Sequence, residues 1–127
     1  MSCQLTVDQV LARTKTVTRR HVDSWKSLKP GDRLTLIEKG MGLPKGAKQR
    51  ILAEVEVVAV DVVQLYGISD SELAAEGFPD MEHFEFFNMW LDAHNVPTFR
   101  SQTEALEYNV RRIEWRYLET TERTEVA

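Results

Sequence analysis

Seven consecutive residues, 14–20, bring together side chains that suit an anion or nucleotide site. The segment reads TKTVTRR and contains one lysine, three threonines and two arginines. Lys15 stands three residues before Thr18, and Arg19 and Arg20 follow directly. This composition is typical of an anion or nucleotide site, and it is equally typical of a solvated edge strand. The local residues leave both interpretations open.

Thr18 is a candidate nucleophile and Lys15 a candidate base. A threonine hydroxyl is a poor nucleophile at its own pKa and needs a nearby base. A lysine can be that base only when it is unprotonated, which requires burial or a neighbouring positive charge. Arg19 and Arg20 can either supply this charge or hold an oxyanion or a phosphate.

The backbone of this segment raises a geometric question. Residues 16–18 are all β-branched, which favours an extended chain, so we predict a strand over 15–20. In a regular strand, Lys15 and Thr18 point to opposite faces. Their convergence requires either a bulge or a position for Lys15 in the loop before the strand.

The length and composition describe an ordinary globular protein. The 127 residues fit one domain with one core, and the hydrophobic and charged fractions are 43% and 28%. Acidic residues interrupt the longest apolar-rich run, 51–63, so we expect no membrane span, and the first residues lack the pattern of a signal peptide. Cys3 is the only cysteine, which excludes an internal disulfide and fits a reducing, cytoplasmic setting.

The charge is distributed unevenly along the chain. Residues 1–50 carry 11 Lys or Arg against 4 acids, a net +7, whereas residues 51–127 carry 5 Arg against 16 acids, a net −11. A basic half predicts a face for phosphate or another anion. The alternative is that the two halves interleave in space and neutralise each other.

Capping and turn signals divide the chain into short elements. Thr6 and Gln9 form a capping-box pattern that predicts a helix from Thr6 to about Arg13. A Pro-Gly turn leads into a predicted strand over 33–37, and a glycine-rich basic loop follows over 38–50.

The second half predicts one long strand, two helices and a closing strand. The strand covers 51–63. A short helix follows from Ser69 to Glu76, with Gly77 as its C′ residue. A longer helix, capped by Asp80, covers 81–94. Its apolar stripe consists of Phe84, Phe87, Met89, Trp90 and Leu91.

A closing strand over 108–118 precedes a polar tail, 119–127, that we expect to be frayed. The whole predicts a single α+β domain over 1–127, in which a small, mostly antiparallel sheet curls toward a barrel with helices outside. The three histidines share no metal-ligand spacing, so we predict neither a metal nor another cofactor.

Taken together, these segments resemble the ASCH family, small β-barrels similar to the PUA fold of RNA-binding domains. The resemblance spans most of residues 5–118. The residues that carry it are, in chain order, Lys15 to Arg20, Leu28 to Asp32, the valine-rich strand, Leu73 to Phe78, and Phe87 with Trp90. The chain departs from the family at Arg13, since members commonly have a glycine just before the lysine segment, and in the long basic loop.

The resemblance implies a function for three residues. Some family members are amidohydrolases that remove the acetyl group of N4-acetylcytidine with a lysine, a threonine three residues later and a downstream glutamate. These roles correspond to Lys15, Thr18 and Glu76. Other members are proposed to bind RNA or to act as ribonucleases, which makes a non-catalytic RNA- or nucleotide-binding module the alternative.

Three further positions have two interpretations each. Glu76 either orients the lysine and carries a proton to the leaving amine, or is a solvated residue of a short helix. Trp25 either stacks on a base or covers the core, and Tyr66 is either a base platform or a loop residue. The expected partner is a small-molecule nucleoside or RNA, with no obligatory protein partner. A closed pocket joining Lys15, Thr18 and Glu76 favours the enzyme, and an open basic groove favours the binder.

Overall fold

The computed structural model describes residues 1–39 and 45–119. A 3-10 turn at Gln4–Thr6 leads into the first of four helices. The helices are α1 (Val7–Leu11), α2 (Asp70–Glu76), α3 (His83–Ala93) and α4 (Gln102–Leu106). The strands are β1 (Val17–His21), β2 (Arg33–Ile37), β3 (Ile51–Gln64) and β4 (Asn109–Tyr117).

The four strands form one curled antiparallel sheet in the order β1-β4-β3-β2. The long strand β3 and the closing strand β4 lie at its centre. This arrangement confirms the predicted α+β class. The register between β3 and β4 shifts between Val57 and Ala59. Beyond that shift the burial pattern of β3 changes, and Val58 and Val62 are exposed.

Two apolar clusters pack against the sheet. The first, here the barrel cluster, consists of Cys3, Val10, Leu36, Leu52, Ala53, Val55, Val57, Ile113 and Trp115. The second, here the α3 cluster, consists of Leu65, Ile68, Leu73, Phe86, Trp90 and Val110. Burial of apolar surface in these clusters is the main favourable term in folding.

The structure corrects the predicted start and stripe of α3. Glu82, not Asp80, is the N-cap, and it forms a capping box with Glu85. The buried face consists of Phe86 and Trp90, one turn apart, whereas Phe84 is 49% exposed. Five of the first eight residues in this helix are aromatic or aliphatic, so several stripes fit the sequence and packing selects one.

Other elements differ from prediction at their ends. The side chain of Thr6 makes no capping hydrogen bond, and α1 ends at Leu11. The short helix α4 escaped the sequence analysis, although Ser101 and Glu104 show its capping pattern, and the Ser101 hydroxyl accepts from the Glu104 amide.

Trp25 has a positive φ of 59° and is partly exposed, so it does not cover the core.

Two predictions fall partly or wholly on residues outside the described ranges. The basic loop predicted over 38–50 includes residues 40–44, and most of the predicted frayed tail lies in 120–127. Within residues 1–39 and 45–119, no helix has the length and apolar character that crossing a bilayer requires.

Candidate active site

Lys15 lies in the loop that joins α1 to β1. Its amide donates to the Gln9 carbonyl, and its own carbonyl accepts from the Tyr117 hydroxyl. The next amide, that of Thr16, donates to Ala75 at the end of α2, and β1 begins only at Val17. Because Lys15 precedes β1, the alternation of side chains between the two faces of that strand does not apply to it. Its side chain reaches the same cavity as the side chain of Thr18.

The cavity has a volume of about 180 Å³. Its polar wall contains all three residues of the predicted triad, Lys15, Thr18 and Glu76, together with Arg20. The triad residues are 3%, 4% and 3% exposed, respectively. Burial argues against the solvated-surface interpretations of these residues, although the sequence alone left them open. The remaining lining residues are Ser2, Cys3, Gln4, Leu5, Thr6, Phe78, Phe86 and Met89.

The Lys15 ammonium group is poorly compensated for a buried charge. Its Nζ donates to the backbone carbonyl of Glu76 at 2.6 Å, and the nearer carboxylate oxygen of Glu76 is 3.5 Å away. Burial lowers the pKa of Lys15, and the Arg20 charge lowers it further, against the opposing effect of Glu76. A lysine in these surroundings gives up its proton more readily than one in water.

Glu76 owes its position to the two ends of α2. The Ser69 hydroxyl accepts from the Glu72 amide at the N-terminus, and Gly77 ends the helix in the left-handed region with a φ of +105°. A Cβ at position 77 would lie 3.1 Å from the Thr6 methyl group, so α2 packs tightly against the segment leading into α1. This packing directs the Glu76 side chain into the cavity.

Arg20 contacts the candidate nucleophile. Its Nε donates to the Thr18 hydroxyl oxygen at 3.2 Å, and its Nη2 donates to the Ser2 carbonyl at 2.6 Å. The second bond fixes the guanidinium group against the chain segment before α1. A cation held beside a nucleophilic oxygen is suited to stabilising an oxyanion.

Arg19 has a different role from the predicted anion binding. It is 6% exposed, and it is not among the residues that line the cavity. Its Nη1 donates to Glu76 at 2.8 Å and its Nη2 to Glu72 at 2.9 Å. Both terminal nitrogens are thus engaged by carboxylates of α2, so the side chain links β1 to that helix.

The two predicted aromatic platforms lie outside the cavity lining. Trp25 lines a separate depression with Lys26, Ser27, Leu28 and Asp32. Tyr66 packs edge-on against His83 and Phe87. The structure therefore does not bring either ring to the cavity that contains Lys15 and Thr18.

The sequence analysis missed the rest of the cavity wall. Residues 2–5 had no assigned role, yet the Cys3 amide donates to the Ile37 carbonyl and a parallel bridge joins Ser2 to Ile37. Phe86 and Met89 reach the cavity from α3. No local signal in the sequence selects this face of α3, because several apolar stripes fit the helix.

Among the described residues, no group of three or more His, Cys, Asp or Glu side chains is arranged to hold a metal ion. The sulfur of Cys3 lies in the cavity wall, where burial raises the pKa of its thiol. The polar side chains of the cavity wall include a thiol, hydroxyl groups, an amine, a carboxylate and a guanidinium group.

Comparison with known proteins identifies the fold. No family model and no curated protein matches the chain. Solved structures that are similar to it include the following three. A DUF984-family protein from Enterococcus faecalis V583, EF3133, has a TM-score of 0.58 and 18% identity, and the alignment covers 91% of this chain and 71% of that one.

The hypothetical protein PH0355 has a TM-score of 0.52 and 18% identity over 91% of this chain and 94% of its own. The ASCH domain from Lactobacillus crispatus JV V101 has a TM-score of 0.53 and 15% identity, with coverages of 89% and 70%. At these identities the likeness concerns the fold alone. The chain has an ASCH-like fold.

Proposed function

We propose that this protein is an amidohydrolase that deacylates an N4-acylated, cytidine-type nucleoside, with Thr18 as nucleophile, Lys15 as base and Glu76 as its carboxylate partner. One observation carries the proposal. A buried lysine with a lowered pKa shares a small cavity with a buried threonine and a buried glutamate that lies about sixty residues away in sequence. These groups together can perform covalent amide hydrolysis, because a hydroxyl nucleophile needs a base and a third group can orient that base.

The proposed reaction begins with proton transfer from the Thr18 hydroxyl to neutral Lys15. The Thr18 oxygen then forms a bond to the acyl carbon, and the oxyanion that develops is stabilised by the Arg20 guanidinium group. As the bond from the acyl carbon to N4 breaks, the Lys15 ammonium group returns the proton to the leaving amine. Cytidine leaves, and Thr18 carries the acyl group as an ester.

Water completes the cycle. Lys15, again neutral, accepts a proton from a water molecule, which attacks the ester carbon. As the ester bond breaks, Lys15 passes this proton to the Thr18 oxygen, and the carboxylic acid leaves. Glu76 holds the Lys15 side chain through both its backbone carbonyl and its carboxylate. Each turnover thus consumes one acylated nucleoside and one water, and it yields one nucleoside and one acid.

The size and walls of the cavity suit a pyrimidine ring. An apolar cavity of about 150 Å³ holds a benzene molecule, and this one measures about 180 Å³. Phe78, Phe86 and Met89 give it an apolar side in addition to the polar groups. An aromatic base can pack on that side while its acylated amine faces Thr18 and Lys15.

Incubation of the purified protein with N4-acetylcytidine, with cytidine release followed by chromatography, tests the proposal. We expect turnover by the parent and none by Thr18→Ala, which retains the fold because only one hydroxyl and one methyl group are lost. Thr16→Ala is the matched control, since Thr16 belongs to the same segment but does not line the cavity. Equal turnover by Thr18→Ala and the parent would exclude Thr18 as nucleophile.

The non-catalytic alternative predicts a different result. Absence of cytidine release, combined with RNA binding that weakens steeply as salt rises, would identify a binding module, because released counterions drive such binding. Lys45 and Lys48 are exposed, so their replacement by alanine should then flatten the salt dependence. Under the enzyme proposal, the same double substitution leaves cytidine release unchanged.

A further inference from the structure

A chain of alternating charges extends from the cavity toward the surface. Its members, in order of contact, are Lys15, Glu76, Arg19, Glu72, Arg112 and Glu114. The first three are almost completely buried, whereas the side chains of Glu72, Arg112 and Glu114 are 27%, 16% and 39% exposed. The proposed reaction assigns roles to the first two, Lys15 and Glu76, and leaves the other four to be explained.

The Glu76 carboxylate is shared unequally between two cations. Arg19 Nη1 is 2.8 Å from one oxygen, whereas Lys15 Nζ is 3.5 Å from the other. The closest partner of Lys15 is instead the uncharged backbone carbonyl of Glu76, at 2.6 Å. The carboxylate therefore forms its short ion pair with the arginine and only a long one with the lysine.

The position of Arg19 is fixed from two sides. Its Nη2 donates to Glu72, which also accepts two hydrogen bonds from Arg112. Its backbone carbonyl accepts from the Trp90 indole of α3. The Nε of Arg19 is buried and has no hydrogen-bond partner in the described part of the chain. The guanidinium group is thus oriented by its two carboxylates even though one donor stays unsatisfied, which is costly.

We propose that Arg19 is a positioning residue that draws the Glu76 carboxylate away from Lys15, so that the lysine remains available as an uncharged base. The inference rests on the proposed function, because it explains how a lysine next to a glutamate can act as a base. Because the Arg19 guanidinium group forms the short ion pair with Glu76, protonation of Lys15 gains little electrostatic stabilisation from that carboxylate.

Other groups also face Lys15 and act on its charge. Arg20 approaches from β1 and disfavours the charged form, while Cys3, from the segment before α1, favours it when ionised. From β4, the Tyr117 hydroxyl binds the Lys15 carbonyl, and the Trp115 ring lies 5.9 Å from Nζ. Apart from Lys15, Arg19 is the cation that pairs with the Glu76 carboxylate. Its removal should therefore have the largest effect.

Two substitutions should move the protonation midpoint of Lys15 in opposite directions. In Arg19→Met, the Glu76 carboxylate keeps Lys15 as its ion-pair partner and loses Arg19. The protonation midpoint of Lys15 should therefore rise by about one pH unit or more. In Glu72→Gln, Arg19 keeps Glu76 as its carboxylate partner, and an anion farther from Lys15 is removed. The protonation midpoint of Lys15 should therefore fall by about half a pH unit. General damage to the fold cannot produce shifts of opposite sign.

Arg111→Met is the matched control. Arg111 is the neighbour of Arg112 on β4, but it donates to the Val22 and Ser24 carbonyls instead of a carboxylate. Its substitution should leave the midpoint of Lys15 unchanged. If Arg19→Met does not fold, the role of Arg19 is tested by the lowered midpoint expected for Glu72→Gln against the unchanged midpoint expected for Arg111→Met.

The midpoint is measured by NMR titration of the Lys15 side chain in protein labelled with ¹³C-lysine, and the signal is assigned by its loss in Lys15→Met. In parallel, the acid limb of kcat/KM for N4-acetylcytidine should shift with the NMR midpoint. Midpoints in Arg19→Met and Glu72→Gln that equal the parent value would overturn the role of Arg19. Opposite NMR shifts without any cytidine release would support that role and refute the proposed reaction.

Discussion

Two helices of this molecule pack with opposite chemistry, α3 through apolar side chains and α2 through charged ones. Helix α3 covers the sheet with the apolar α3 cluster, in which Leu65, Phe86 and Val110 are at most 1% exposed. Helix α2 approaches β1 through buried charges, Lys15 and Arg19 on one side and Glu76 on the other. We refer to these three residues and Glu72 as the ionic seam.

Under the proposed function, this difference separates a region that serves stability from a region that serves chemistry. Buried ion pairs lose most of their attraction to desolvation, and apolar residues of similar size are often as stabilising or more so. An apolar seam was therefore physically available between α2 and β1, as the α3 cluster shows. The ionic seam lies against the cavity that contains Thr18. We infer that its charges are retained for the reaction.

The largest expected effect lies in the ionic seam and concerns activity. Lys15→Arg keeps the positive charge but cannot lose its proton at working pH. We expect cytidine release to fall at least about 1,000-fold, which is within the range for loss of a general base. Turnover and KM measured on the folded variant check this. A rate close to that of the parent would remove Lys15 from the mechanism.

The α3 cluster should instead determine stability. Leu65→Ala creates a cavity at a fully buried position and should lower the free energy of unfolding by about 2–5 kcal/mol. Leu11→Ala is the control, because Leu11 is 48% exposed and its truncation should change stability by less than about 0.5 kcal/mol. Urea denaturation measures both. Equal effects of the two substitutions would contradict the assignment of the core.

A smaller effect is expected where α2 meets the segment before α1. Gly77→Ala places a Cβ 3.1 Å from Thr6 and forces a non-glycine residue to a φ of +105°. The expected loss is about 1–3 kcal/mol, accompanied by slower turnover, because Glu76 is the preceding residue.

Gly31→Ala separates the two causes of this loss. Gly31 has a φ of +94° but no heavy atom within 4 Å of the added Cβ. Its substitution tests backbone strain alone, so the excess loss at Gly77 measures the crowding. Identical losses at both glycines would show that the contact with Thr6 is unimportant for the position of α2.

The smallest expected effect contrasts stability with activity at one residue. Lys15→Met removes an expensive buried charge and should be inactive, yet it should be at least as stable as the parent, with a gain of up to about 1 kcal/mol. Thermal denaturation at neutral pH measures this. A loss of more than about 1 kcal/mol would show that the ionic seam is a stabilising feature after all.

The stability gained by Lys15→Met should depend on pH. Because the pKa of Lys15 is lowered by folding, the unfolded parent binds more protons than the folded parent between that lowered pKa and about 10.5, the ordinary value. The parent therefore becomes more stable as pH rises through this window, and the advantage of Lys15→Met should shrink. A constant difference would contradict a lowered pKa for Lys15.

Short-range signals in the sequence were sufficient for most elements. The apolar runs predicted β2 and β3, and the Ser69 cap with Gly77 predicted the bounds of α2, because these features depend on residues within a few positions of each other. Such signals also identified segment 14–20. They were ambiguous in α3, where aromatic residues surround the helix and only contact with the sheet selects the face of Phe86.

The sequence by itself determined the candidate chemistry, since a lysine, a threonine and two arginines within seven residues limit what the segment can do. Tertiary structure decided how that chemistry is divided. Arg19 and Arg20 are adjacent and identical in type, yet one binds carboxylates of α2 and the other contacts Thr18. Strand alternation separates their side chains. The carboxylates that bind Arg19 come from α2, which begins about fifty residues later, whereas Arg20 is held by the Ser2 carbonyl. No local signal specifies contacts across that distance.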